Sequence, residues 1–158
     1  MTQPVGPAEL IAALGARGLT VATAESLTGG LLAATLTSVP GASAVFRGGV
    51  IAYATDLKST LLGVDVDLLE RVGPVAPDVA VAMAVGVRQR LGVSFGVAVT
   101  GVAGPDDQAG HPVGEVYVAV AGPRREVVAG HVFAGDRSAI RTATVNAALE
   151  ALTREHPA

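Results

Sequence analysis

The sequence contains no cysteine and no tryptophan, and only 3% of its 158 residues are aromatic. The lack of cysteine excludes disulfides and cysteine-ligated zinc or iron–sulfur sites. Half of the residues are hydrophobic, so the core must be built from Ala, Val and Leu. A chain of this length fits one domain better than two, and we expect a single domain over residues 1–158.

Strong charge of one sign and long apolar runs are also missing. The formal net charge is -3 and no basic run occurs, so we expect no nucleic-acid partner. No apolar run reaches about 18 residues, and the N-terminus lacks the pattern of a signal peptide, so we expect no membrane association. These features predict a cytoplasmic protein, and its Ala- and Val-rich composition favours a homo-oligomer.

Segments with strand-like and helical patterns alternate along the chain. Apolar strands are predicted over 19–25, 48–54 and 95–101, with helices between them. Two alternating segments, GEVYVAVAG and REVVAGHVF, flank a Gly-Pro connection typical of a hairpin, and a long helix follows with Asp136 as its N-cap. This order predicts an α/β fold, a three-layer α/β/α sandwich with a mixed, mostly parallel sheet.

Three of the predicted strands end in hydroxyl, carboxyl or glycine residues, in VATAES, VIAYAT and VAVTGVAG. Ligands of open α/β sheets bind outside the carboxyl ends of the strands. If these ends are neighbours, Ser26, Tyr53, Lys58 and the turn 100–104 meet in one pocket.

Ser26, in TAESLTGG, is a candidate nucleophile. A helix predicted over 28–41 would leave the N–H groups of Thr28, Gly29 and Gly30 free to bind an oxyanion. Two other interpretations remain open: Ser26 is only the N-cap of this helix, or the helix N-terminus binds a phosphate.

Lys58 is the only lysine beside ten arginines. Arginine cannot lose its proton in a protein, whereas lysine can. With Thr55 as N-cap of a helix over 55–63, Lys58 falls at the third position, where the helix dipole favours a neutral amine. Such an amine can accept the serine proton, directly or through Tyr53. The alternatives are a solvated lysine and an ordinary strand tyrosine.

Other candidates are weaker. Thr100, Gly101 and Gly104 form a turn that suits ribose or phosphate, although ordinary loop closure explains it too. Asp106 and Asp107 are best explained as solvated loop charges, and we expect neither a metal nor a cofactor. Arg137 and Arg141 lie four residues apart on one helix face, where they either clamp a phosphate or face solvent.

Several segments together resemble the CinA C-terminal domain family, the nicotinamide-nucleotide amidohydrolases called PncC. They are TAESLTGG, GGVIAYATDLKSTLLGV, VTGVAGPD, PVGEVYVAV and FAGDR, which span nearly the whole chain. The resemblance is to the stand-alone form, without the N-terminal molybdopterin-binding-like domain of longer CinA proteins. It implies hydrolysis of nicotinamide mononucleotide to nicotinate mononucleotide and ammonia, in pyridine-nucleotide salvage, without metal.

The same resemblance implies that Ser26 is the nucleophile and that Tyr53 and Lys58 form the base system. We expect the remaining candidates to bind substrate, namely Glu25, Thr28, Gly29, Gly30, Thr100, Gly101, Gly104, Arg137 and Arg141. One departure is Tyr53-Ala54-Thr55, where many members read Tyr-Ser-Asn, and this change affects substrate grip or helix capping. A nucleotide-binding regulatory module without turnover and a structural α/β subunit remain as alternatives.

Overall fold

The computed structural model describes residues 5–156, and a five-stranded sheet lies at its centre. The strands are β1 (Val21–Glu25), β2 (Phe46–Ile51), β3 (Phe95–Gly101), β4 (Glu115–Ala121) and β5 (Glu126–Val132), in the order β2-β1-β3-β4-β5. β1 runs parallel to β2 and β3, whereas β4 is antiparallel to both β3 and β5. All strands except β4 therefore point the same way, which confirms the mixed, mostly parallel sheet.

The helices lie in two layers, one on each face of the sheet, as the three-layer prediction requires. One layer contains α1 (Pro7–Gly15), α2 (Leu31–Thr37) and α6 (Arg137–Glu155), and the other contains α3 (Thr55–Leu62), α4 (Val66–Val72) and α5 (Pro77–Leu91). Asp136 caps α6 as predicted, because its carboxylate accepts a hydrogen bond from Ala139 N at 2.9 Å. None of the described helices is long and apolar enough to cross a bilayer.

The two faces of the sheet carry side chains of different size. Valines of β3 and β4 pack under α1, α2 and α6, whereas the opposite face of β1, β3 and β4 presents Ala22, Ala24, Ala98, Ala119 and Ala121 to α5. Because successive strand residues point to opposite faces, the alternation of Val and Ala gives one face mainly the short side chains of alanine. We call this the thin face. The thin face lets α5 approach closely: a Cβ at Gly96 would overlap Ala84 O of that helix.

Three predicted boundaries were wrong. Helix α2 begins at Leu31 rather than at residue 28, because Gly29 and Gly30 adopt positive φ angles of 55° and 105° that break the helix. Strand β2 ends at Ile51, before Tyr53. The N-cap of α3 is Ala54 and not Thr55, so Lys58 occupies the fourth helical position.

An added methyl group should have opposite effects on stability at two helical glycines, because Gly86 of α5 lies against the backbone of α3 and Gly15 of α1 does not. Gly86→Ala should lower the free energy of unfolding by about 1–3 kcal/mol, because the new methyl group overlaps the backbone of Leu62. Gly15→Ala should raise it by up to about 1 kcal/mol, because that methyl group meets only Val45 at 3.5 Å and alanine favours helix. Urea unfolding of both variants measures the difference, and equal effects would contradict this packing.

Candidate active site

The carboxyl ends of β1, β2 and β3 lie side by side, as the sequence required for a shared pocket. A cavity of about 120 Å³ opens at this edge of the sheet. Seven of the predicted site residues line it: Ser26, Tyr53, Lys58, Thr100, Gly101, Gly104 and Arg137. The structure therefore brings together the candidate nucleophile, the only lysine and the glycine turn.

The centre of this cavity is a contact between Ser26 and Lys58. Lys58 Nζ lies 2.9 Å from Ser26 Oγ. Ser26 follows β1 directly, and its backbone N–H donates to Val99 O of β3, which ties the serine to the sheet. The helix predicted to be capped by Ser26 begins only at Leu31, with Gly30 as its N-cap, so capping does not explain this serine.

Burial changes the acid–base behaviour of Lys58. The side chain is only 1% exposed, and this desolvation lowers the pKa of Lys58 from 10.5 to about 8. Burial, rather than the predicted helix dipole, is the cause. At a pKa of 8, about a tenth of the amines are neutral at pH 7. Backbone carbonyls of Ala52 and Tyr53 lie 2.7 and 3.4 Å from Nζ, so a neutral amine can donate to both and direct its lone pair at Ser26.

The phenol of Tyr53 does not take part in this contact. Tyr53 is 58% exposed, and its hydroxyl accepts a hydrogen bond from Arg137 Nη2 at 3.1 Å. Arg137 Nη1 also donates to Gly104 O at 2.6 Å, so the guanidinium links Tyr53 and Gly104, which lie on two sides of the cavity opening. The expected proton relay through Tyr53 is therefore not the arrangement observed, because only its backbone carbonyl faces Lys58.

Glu25 caps a helix instead of lining the cavity. Its carboxylate is 1% exposed and accepts hydrogen bonds from the N–H groups of Gly30, Leu32 and Ala33, at 3.2, 2.8 and 3.1 Å. The substrate contact expected for Glu25 is thus corrected to a positioning role. A buried carboxylate with three N–H donors is well satisfied and secures the start of α2 directly after the Ser26 turn.

The predicted oxyanion donors also need correction. Gly29 N–H donates to Ser26 O at 3.1 Å and Gly30 N–H donates to Glu25, so neither is free. Within residues 5–156, the backbone N–H groups of Leu27 and Thr28 have no acceptor. Of the three predicted donors, only Thr28 keeps a free N–H, and Thr28 is fully buried outside the cavity lining. Leu27, which the sequence did not indicate, has the free N–H of a cavity-lining residue.

Two other predicted substrate contacts are used within the protein. Thr100 is buried, and its hydroxyl donates to Pro74 O at 2.7 Å, which fastens the α4–α5 connection over the cavity. Arg141 points behind the Ser26 turn, where Nε donates to Leu27 O at 3.1 Å and Nη2 donates to Thr28 O at 2.9 Å. Of the two predicted phosphate-clamping arginines, only Arg137 lines the cavity.

The sequence matches a known family. The family model of the CinA C-terminal domain matches residues 6–156. The chain belongs to this family. A CinA-like protein of Frankia casuarinae is 52% identical over 87% of this chain and 32% of its own length. A putative competence-damage inducible protein of Halothermothrix orenii is 46% identical over 94% of this chain and 36% of its own length. This CinA C-terminal domain thus spans about a third of such relatives.

Solved structures of CinA proteins share the fold. The competence/damage inducible protein CihA of Agrobacterium tumefaciens superposes with a TM-score of 0.90 at 39% identity, and the match covers 98% of each chain. A CinA superfamily protein of Klebsiella pneumoniae superposes with a TM-score of 0.91 at 30% identity over 94% of each chain. The α/β architecture of this CinA C-terminal domain is therefore that of its family.

Sequence analysis missed part of the lining of the cavity, which also includes Thr55, Pro74, Val75, Asp106 and Gln108. The signal for the last two was present, because they belong to the polar loop that directly follows β3. Pro74 and Val75 carried no such signal, since they arrive from the α4–α5 connection. Among the described residues, no three side chains are grouped as metal ligands, and Asp107 accepts a hydrogen bond from Val113 N.

A larger depression, of about 670 Å³, lies at the opposite edge of the sheet beside Phe95. Its lining is rich in arginine, with Arg17, Arg124, Arg125 and Arg154 around Glu155. Arg125 is already engaged in a two-bond ion pair with Glu155, at 2.9 Å for both bonds. Size alone would favour this depression, but it contains no pair of nucleophile and base, so we place the chemistry at Ser26.

Burial of the Lys58 amine predicts an unusual pH dependence of stability. Between pH 8 and 10.5 the unfolded chain binds a proton that the folded protein has lost, so the free energy of unfolding should rise with pH there. The rise should amount to roughly 3 kcal/mol and be absent from Lys58→Met. Urea unfolding of both proteins at pH 7 to 10.5 measures this difference. No other lysine contributes to it, because Lys58 is the only one in the sequence. If the stabilities of the two proteins change with pH in parallel, the prediction is wrong.

The capping role of Glu25 predicts a loss of stability. Glu25→Gln should lower the free energy of unfolding by about 1–3 kcal/mol, because an amide N–H2 would face the N–H groups of α2. Glu126→Gln on exposed β5 is the matched control and should stay within about 0.5 kcal/mol of the wild type. If the two substitutions have equal effects on urea unfolding, the capping role is wrong.

Proposed function

We propose that this CinA C-terminal domain hydrolyses the carboxamide of nicotinamide mononucleotide to nicotinate mononucleotide and ammonia. One observation carries the proposal: the buried Lys58 amine, with its pKa lowered to about 8, lies 2.9 Å from Ser26 Oγ. A serine beside a neutral amine is the reactive pair of Ser–Lys amide hydrolases. The names of the relatives refer to competence and damage induction, so the reaction is inferred from the site and from the motifs.

The reaction proceeds in two halves. Neutral Lys58 accepts the proton of Ser26 while Oγ attacks the carboxamide carbon, and the carbonyl oxygen becomes an oxyanion. The Lys58 ammonium then protonates the amide nitrogen, the C–N bond breaks and ammonia leaves. Water attacks the resulting ester of Ser26 and gives its proton to Lys58. The ester C–O bond breaks, Ser26 regains its proton, and nicotinate mononucleotide is released.

The dimensions of the cavity suit one end of this substrate. A volume of about 120 Å³ is smaller than the roughly 300 Å³ or more of typical ligand pockets, so only the carboxamide and its ring would enter. Ribose and phosphate would extend across the rim formed by Tyr53, Arg137 and Gly104. Arg137 is exposed there and uses two of its five N–H donors in hydrogen bonds to Gly104 O and the Tyr53 hydroxyl, so it is the phosphate ligand that we propose.

Ammonia release from nicotinamide mononucleotide tests this proposal. The wild type should release ammonia, with kcat/KM rising with pH through about 8 as Lys58 loses its proton. Ser26→Ala should abolish release. Lys58→Arg keeps the charge but cannot act as a base, so it should lower kcat/KM by about 10²- to 10⁴-fold.

Ser59→Ala is the matched control, because Ser59 adjoins Lys58 on α3 but lies outside the cavity lining. Its activity should equal that of the wild type. Near-normal turnover in Lys58→Arg would overturn the role of the amine as base. Binding of the nucleotide without turnover in the wild type would instead favour the regulatory module.

A further inference from the structure

We propose that Arg141 is a positioning residue that orients the oxyanion-binding N–H group of Leu27. The inference rests on the proposed function, because it requires attack by Ser26 on a carbonyl carbon. Arg141 belongs to α6, far along the chain from the turn that it contacts. Its guanidinium lies on the side of the turn remote from the cavity lining, to which it does not contribute.

The hydrogen bonds of the turn determine where its peptide groups point. In a trans peptide, the C=O and N–H groups point in opposite directions. Arg141 Nη2 donates to Thr28 O, and the C=O of Thr28 shares a peptide with the N–H of Gly29. This Gly29 N–H donates to Ser26 O, and the C=O of Ser26 shares a peptide with the N–H of Leu27. The chain of two bonds that starts at Arg141 therefore sets the direction of the Leu27 N–H.

The Leu27 N–H lacks an acceptor within the described part of the chain, and Leu27 lines the cavity. The Thr28 N–H also lacks one, but Thr28 is fully buried and lies outside the cavity lining. Leu27 and Thr28 are buried, and a buried backbone N–H without a partner costs about 1–3 kcal/mol. The next N–H groups along the turn, those of Gly29, Gly30 and Leu31, all donate to protein oxygens. Free donors directly after a nucleophile are what an oxyanion site requires, since the oxyanion supplies the missing acceptor.

Arg141 also supplies charge behind these donors. It forms no ion pair among the described residues, so its positive charge is not neutralised by a carboxylate. Charge-assisted hydrogen bonds are stronger than neutral ones, and a bound carbonyl makes the N–H of the same peptide a better donor. Through the bonds at Thr28 O and Ser26 O, the guanidinium therefore both directs and strengthens the Leu27 donor, without touching substrate.

Arg141→Lys and Arg141→Gln test this role. With nicotinamide mononucleotide, kcat should fall by roughly 10- to 100-fold, less for lysine than for glutamine, while KM changes by less than about 3-fold. The Ser26-dependent hydrolysis of p-nitrophenyl acetate should fall by the same factor, because this ester forms the same oxyanion but has no phosphate. In Arg141→Ala, added ethylguanidinium should restore part of kcat, whereas ethylamine should restore less.

Arg88→Gln is the matched control. Arg88 Nε donates to Ser94 O at 2.9 Å, a side-chain bond to a loop carbonyl like those of Arg141, but away from the cavity. This variant should lower the melting temperature and leave kcat unchanged. If the Arg141 variants behave in the same way, the residue is only structural and the proposal is overturned.

The remaining outcomes separate the two proposals. A rise in KM for the nucleotide alone, with normal ester hydrolysis, would make Arg141 a phosphate ligand and overturn its positioning role. If the wild type hydrolyses the ester through Ser26 but not nicotinamide mononucleotide, the proposed function fails. The rate of ester hydrolysis by the Arg141 variants then tests the positioning role by itself. If Ser26 reacts with neither compound, both proposals are wrong.

Discussion

The burial of the Lys58 amine against the Ser26 hydroxyl is the contact around which the rest of the site is arranged. Desolvation disfavours the ammonium, and within the described residues no carboxylate pairs with it, so the amine is poised to lose its proton near pH 8. The carbonyls of Ala52 and Tyr53 hold it in place. This electrostatic cost falls at the point where the proposed reaction needs a base.

The turn after Ser26 is held from two sides by side chains that do not enter the cavity. Glu25 accepts the N–H groups at the start of α2, and Arg141 donates to the carbonyls of Leu27 and Thr28. The Glu25 carboxylate thus binds N–H donors at the start of α2, and the Arg141 guanidinium binds C=O acceptors of the turn. The N–H groups of Leu27 and Thr28, next to Ser26, remain without an acceptor among the described residues. Rigid support from outside a site is how proteins hold reactive groups in one geometry.

The unequal faces of the sheet help to place the lysine. The thin Ala-rich face lets α5 lie close to β1 and β3, and α3 packs against α5 at Gly86. Lys58 points inward from α3, so its position depends on this packing and on the sheet order that puts β2 beside β1. Larger side chains on this face would move α5 outward and with it the helix that carries the base.

The sequence by itself determined the α/β class and marked Ser26 and Lys58 as candidates near strand ends, because hydrophobic period, strand-end chemistry and the isolated lysine are local signals. Only the strand order, with β2 beside β1, brought the two side chains together. Tertiary structure decided the roles of Glu25, Thr100 and Arg141, whose side chains bond to backbone groups; of the three, only Thr100 also lines the cavity. It also engaged the predicted donors Gly29 and Gly30, left the N–H of Leu27 free and turned the Tyr53 phenol to Arg137. Such assignments depend on which distant groups reach a side chain, and the partner of Arg141 lies over 110 residues away in the chain.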